Sequence, residues 1–138
     1  MSNLELFRRI IAGELPGAPV GDLIGMKMIE VGEGTASFEL VAGPEHSSPP
    51  GSIHGGILCD LADAAMGCAN ATRLDDGESF TTVELKINFL KPVWEGRLVA
   101  VGSVVKAGRT IALTDCRVTD ESGSLVAYAT STCMTLRG

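Results

Sequence analysis

The chain has 138 residues, enough for one domain with a core of its own and too few for two of ordinary size; 45% are hydrophobic, 20% charged and 4% aromatic. This composition excludes a disordered or collagen-like chain, and a formal charge of −6 with only two histidines disfavours nucleic-acid phosphates, anionic lipid and a histidine-rich metal site. Four scattered cysteines without a Cys-x-x-Cys pair read as small buried apolar residues, and the lack of an apolar run near ~18 residues or of a basic-then-apolar start makes the cytoplasm the expected compartment.

Apolar residues at Leu4, Phe7, Ile10, Ile11 and Leu15, with charges between them, predict a short amphipathic helix that Gly13 and Pro16 bring to an end. Residues 27–33 and 35–41 meet around Gly32-Glu33-Gly34 as a β-hairpin, with Ala36, Phe38 and Leu40 alternating against Ser37 and Glu39. The density of Gly, Pro and Ser over residues 42–51 makes that stretch a loop. Residues 57–74, rich in Leu, Ala, Met and Cys and free of Pro, form the one long helix. Four strand-like runs follow, residues 80–90, 97–106, 110–119 and 124–135, punctuated by Pro92, Gly108 and Asp120-Glu121-Ser122-Gly123 as in an antiparallel meander. The expected class is α+β: one domain over residues 1–138 with an antiparallel sheet packed on a single long helix, residues 1–18 being an N-terminal helical extension.

At 100° per residue the long helix sets Ile57, Leu61, Ala64, Ala65 and Cys68 on one arc, with Leu58 and Ala69 at its margin, and this arc is the expected core face. Asp60, Asp63, Gly67 and Asn70 share a second, small and polar stripe. Two aspartates on a helix by themselves describe a solvated face. Here, however, Gly51-Ser52-Ile53-His54-Gly55-Gly56 leads directly into the helix. The Gly55 and Gly56 amides stand at its positively polarised start, where they can receive developing negative charge, and the missing Cβ atoms let a ligand come close. A Gly-Gly pair also serves as a plain tight turn.

Two ordered segments go further: Gly51-Ser-Ile-His-Gly-Gly-Ile-Leu-Cys-Asp-Leu-Ala-Asp63 and Thr81-Thr-Val-Glu-Leu-Lys-Ile-Asn-Phe-Leu-Lys-Pro92. From about Gly21 onward the chain resembles the hotdog-fold thioesterases, in particular the phenylacetate-degradation and 4-hydroxybenzoyl-CoA branch, in which His-Gly-Gly precedes a helix with Asp or Glu nine positions after the His. The resemblance implies a sheet that wraps its long helix and a homo-oligomer, a tetramer built as a dimer of dimers, with active sites between subunits. It implies an acyl-CoA thioesterase for aryl- or medium-chain groups, with no metal and no cofactor, coenzyme A being part of the substrate. Asp63 would be the nucleophile or the general base, and the Gly55 amide the donor to the thioester carbonyl. His54 would orient the loop or the thioester, or cap the turn. Thr82, with Thr81 beside it, matches a hydroxyl residue that some members bring from the partner subunit to position water. Ser48 stands where many members carry Asn or Gln, so it would act through a bridging water, with His46 a nearby substitute. Gly56, Leu58, Met66 and Phe89 are expected to line the acyl site. Lys91, Lys106 and Arg109, together with Arg97 and Arg137, are the cations available to coenzyme A phosphates. Two other readings keep the fold: a non-catalytic acyl-CoA-binding protein that keeps Gly55 without requiring Asp63, and an enoyl-CoA hydratase or dehydratase.

Overall fold

The structure, a computed structural model, describes residues 1–138. The Ser2 side chain accepts the Glu5 amide and starts helix α1, Asn3–Ile11, whose Glu5 in the first turn and Arg8 and Arg9 in the last suit the helix dipole. The helix stops short of Leu15 because Gly13 takes a φ of 79°. A second short helix absent from the expected elements, α2 (Pro19–Ile24), begins on its proline and ends at Gly25, whose φ is 92°. The hairpin follows as β1 (Met26–Gly32) and β2 (Thr35–Ala42), then the long helix α3 (Gly55–Ala71) and strands β3 (Glu78–Phe89), β4 (Gly96–Ala107), β5 (Ile111–Thr119) and β6 (Leu125–Arg137).

All six strands form one sheet in the order β1-β2-β4-β5-β6-β3, with every neighbouring pair antiparallel. The expected meander therefore holds only for β4 to β6. β3, which directly follows α3, crosses to the far edge and pairs with β6, so the two strands flanking α3 in sequence lie well apart in the sheet and the sheet curves around the helix. This leaves β1 and β3 as edges.

The core lies between α3 and the concave sheet face, with Leu40, Leu61, Met66, Leu98, Val118 and Val126 fully buried. The helix face that packs on the sheet is Leu58, Leu61, Ala62, Ala65, Met66 and Ala69, which is rotated from the expected arc. Ile57, Ala64 and Cys68 are only partly buried, and Ala64 and Cys68 turn toward α1 and α2. The reason is that one flank of α3 packs on the sheet while the flank of Ala64 and Cys68 faces a cavity bordered by the N-terminal helices, which themselves pack on β1. An apolar arc in the sequence does not say which cover it meets. Gly102 marks the closest crossing: a Cβ there would sit 2.4 Å from the carbonyl carbon and oxygen of Ala65. The four cysteines are free, Cys116 and Cys133 buried, Cys59 and Cys68 half-buried. No helix is long and apolar enough to cross a membrane.

Candidate active site

The loop before α3 is held from within. A 3₁₀ turn at Pro44–His46 buries the His46 ring, whose Nδ1 accepts the Gly43 amide at 3.1 Å, so the ring proton sits on Nε2 and is donated to the Ile24 carbonyl at 2.6 Å. The His46 carbonyl in turn accepts the His54 amide at 2.8 Å, and the Val93 carbonyl accepts Ile53 at 2.7 Å. Ser48 donates both its amide, at 2.8 Å, and its hydroxyl, at 3.1 Å, to the Ser52 carbonyl, closing a turn in which Gly51 has a φ of 105°. Both His46 ring nitrogens and the Ser48 proton are thus spent on the loop itself. His46 is no open substitute at position 48, a point its nearness in sequence did not disclose.

His54 caps α3, and its Nδ1 accepts the Gly56 amide at 3.0 Å. Of the two glycine amides expected to be available, Gly56 is therefore engaged, while the Gly55 amide has no acceptor within the chain. The Phe89 ring packs on the Cα side of Gly55, where a Cβ would come 2.9 Å from the ring.

Two helical turns further on, Asp63 Oδ1 accepts the Thr82 hydroxyl at 3.0 Å. Thr82 belongs to β3 of the same chain, and the crossing of β3 to the edge beside β6 lays it along the flank of α3. Thr81, its neighbour, is exposed on the opposite face of the strand. Asp63 has no cation beside it. Its neighbours are thiols: burial first, and then the Asp63 charge, push the Cys68 thiol up to about 12, and the same carboxylate helps raise Cys59 and Cys133.

The remaining expected site residues are dispersed. Met66 is fully buried and Leu58 nearly so, both in the core cluster, whereas Phe89 is open at the Gly55 end of the helix. Lys91 pairs with Asp120 at 2.5 Å, Arg97 with Glu39 at 2.6 Å and Arg137 with Glu78 at 2.8 Å. Lys106 and Arg109, at the β4–β5 turn, are exposed and free of ion pairs. They lie toward the C-terminal end of their own α3: Gly102 meets Ala65, and Gly34 joins the Thr72 hydroxyl to the Val104 amide further along β4. Within one chain they are thus remote from Gly55. Sequence reading missed a largely apolar cavity of about 610 Å³ lined by Phe7, Ile10, Met26, Met28, Phe38, Ala64 and Cys68, among others. Its signals were Pro19 and Gly25 bracketing α2, and the alternation of Met26 and Met28 opposite Phe38.

One long helix cupped by an antiparallel sheet, with a free amide at its start and a carboxylate two turns on, defines a hotdog-fold hydrolase. Residues 50–127 match the model of the thioesterase superfamily. The chain is 32% identical over 114 residues to a Saccharolobus solfataricus protein that bears an esterase name, covering 83% of this chain and 81% of that one. It is 24% identical over 111 residues to the 1,4-dihydroxy-2-naphthoyl-CoA hydrolase of Listeria monocytogenes, covering 80% and 90%. Among solved structures, a phenylacetic acid degradation-related protein from Ralstonia eutropha superposes with a TM-score of 0.84 at 30% identity, covering 93% of this chain and 98% of that one. The chain belongs to the thioesterase superfamily and is a thioester hydrolase.

Proposed function

We propose that this protein hydrolyses the thioester of an aryl- or medium-chain acyl-CoA in a site made by two copies of the chain. The observation that carries this reading is the spacing of its two active groups. The free Gly55 amide and Asp63 lie eight residues apart on α3, about 12 Å along the axis, too far to engage one carbonyl from one chain. Two α3 helices related by a two-fold axis and running antiparallel bring Gly55 of each chain opposite Asp63 of the other. The open edge of β3 is the natural seam, because pairing with a second β3 satisfies its free backbone groups. Two such dimers form the tetramer of this reading.

In that site the thioester oxygen accepts the Gly55 N–H, at a helix start already polarised for negative charge. Asp63 of the other chain either attacks the carbonyl carbon, giving an anhydride that water then cleaves, or takes a proton from the water that attacks. In both routes the tetrahedral oxyanion collapses, the C–S bond breaks, and coenzyme A leaves as thiolate and takes up a proton. Thr82 holds Oδ1 and leaves Oδ2 for the reaction. The exposed cations Lys106 and Arg109 serve the coenzyme A phosphates, and the name of the Listeria relative, a naphthoyl-CoA hydrolase, supports a CoA ester as substrate. No cofactor takes part, and the protein works in the cytoplasm. The engaged Ser48 hydroxyl favours one competing reading, an acyl-CoA-binding protein without turnover.

A panel of benzoyl-, phenylacetyl- and alkanoyl-CoA esters separates the two. The hydrolase reading expects turnover, with Asp63→Asn lowering kcat/KM by about 10²–10⁴. Absence of turnover across the panel, or an Asp63→Asn protein as fast as the parent, overturns it. Subunit mixing tests the two-chain site. Gly55→Pro removes the amide at a helix position that tolerates proline, and co-refolding it with Asp63→Asn should recover about a quarter of parental activity, because half the dimers are mixed and each holds one intact site. Mixtures as inactive as the separate variants would place the site within one chain.

A further inference from the structure

The cavity between α1, α2, β1, β2 and α3 is unused by the chemistry described above. Its walls are Phe7 and Ile10 from α1, Met26 and Met28 from β1, Phe38 from β2, and Ala64 and Cys68 from α3, with Asp22 and Lys27 among its polar residues. We propose that this cavity of about 610 Å³ receives the tail of a flexible alkanoyl group whose thioester lies at Asp63, and so selects medium-length chains over aryl groups. The proposal rests on the thioesterase reading for the position of the thioester.

Three features of the structure lead to it. The first is adjacency. Ala64 directly follows Asp63 and Cys68 is one turn beyond Ala64, so the cavity wall begins on the helix flank next to the carboxylate. The second is the path between them. Between these flanks the helix places Asp60, which is exposed, and Gly67, which is buried under the Phe80 ring, so the open way across runs over the Asp60 turn. The third is the lining. Small residues on α3 leave the space open, while two methionines and two phenylalanines close its base and sides, a surface that adapts to a moving hydrocarbon. The Cys68 thiol, pushed up to about 12, stays uncharged in that wall.

The same geometry sets the selectivity. Passing from the Asp63 flank to the Ala64 flank means turning through about 100° around the helix. A planar aryl group joined directly to the carbonyl cannot make that turn, whereas an alkanoyl chain bends over the ridge. Short chains end before the cavity and gain nothing from it. The cavity favours chains long enough to enter, because each buried methylene contributes about 0.8 kcal/mol.

The test compares kcat/KM over butyryl-, hexanoyl-, octanoyl-, decanoyl- and benzoyl-CoA for the parent, for Ala64→Leu and for Ile10→Phe, with circular dichroism confirming that each variant is folded. Ile10→Phe narrows the cavity from a half-buried surface helix and serves if Ala64→Leu does not fold. The expected result is a parental rise from butyryl to decanoyl, and a fall of the decanoyl-to-butyryl ratio by about ten-fold or more in the filled variants. A parent that turns over these esters with a ratio unmoved by either variant overturns the cavity assignment and leaves the thioesterase reading intact. A parent without turnover overturns the hydrolase reading. In that case calorimetry with the decanoyl-CoA thioether decides the cavity alone: weaker binding to the filled variants upholds it, and equal binding refutes it.

Discussion

Gly102→Ala probes the contact that sets α3 against the sheet. The added Cβ would stand 2.4 Å from the Ala65 carbonyl carbon and oxygen and 2.7 Å from the Met66 amide nitrogen. These are backbone atoms and cannot rotate away. Restoring ordinary contact requires a retreat of the helix by about 1 Å, and overpacking of this kind costs about 1–3 kcal/mol. Alanine in place of glycine within a strand returns about 0.5–1 kcal/mol through the unfolded chain, so the clash wins. For 138 residues each kcal/mol shifts Tm by roughly 3 °C, and the net cost of at most about 2.5 kcal/mol gives an expected fall of up to about 7 °C. Activity should suffer more than stability. Asp63 lies two residues from Ala65 and moves with it relative to Thr82, and a 1 Å misplacement costs on the order of 10²-fold in rate. Thermal melts at fixed protein concentration, paired with kcat/KM, measure both effects. A variant that melts at or above the parental Tm with undiminished turnover would refute the close-crossing argument.

Thr82→Val preserves shape and removes the hydroxyl that holds Asp63 Oδ1, so kcat should fall about ten-fold or more with little change in KM, and Thr82→Ser should restore most of it. A valine variant with parental kcat would deny Thr82 its positioning role. Lys91 and Ser122 hold the Asp120 carboxyl below its ordinary value, so this group stabilises the fold above its unfolded pKa and loses that contribution as pH falls through its folded one. Asp120→Asn should therefore melt below the parent at neutral pH, with the gap closing progressively in acid below about pH 4, and a gap constant down to pH 2 would contradict this. Burial pushes the Cys116 thiol up to about 12, so iodoacetamide at pH 8 should spare it in the folded protein and label it in guanidinium; equal labelling in both states would count against its buried setting.

The order of strands, the single long helix and the run from Gly51 to Asp63 are legible in sequence because each is local. Turn formers, alternation and 3.6-residue periodicity act between near neighbours, and α3 begins within two residues of its expected start. The Thr82–Asp63 bond spans nineteen residues and exists only because β3 crosses to the far edge of the sheet. The same crossing, which no local signal encodes, overturned the simple meander and set the Thr82 hydroxyl against the Asp63 of its own chain.

Sequence by itself determined the α+β class, the glycine amides at the start of α3 and the carboxylate that shares its helix. Tertiary structure decided which of those groups are free. It gave the Gly56 amide to His54 and left the Gly55 amide open, turned Ser48 and His46 inward, and paired Lys91, Arg97 and Arg137 while leaving Lys106 and Arg109 exposed. It also rotated the buried face of α3 and opened a cavity beside Asp63. The physical reason is common to all of these. A residue's chemistry is fixed by its side chain, but its availability depends on which distant groups satisfy its hydrogen bonds, charge and surface once the sheet closes around the helix.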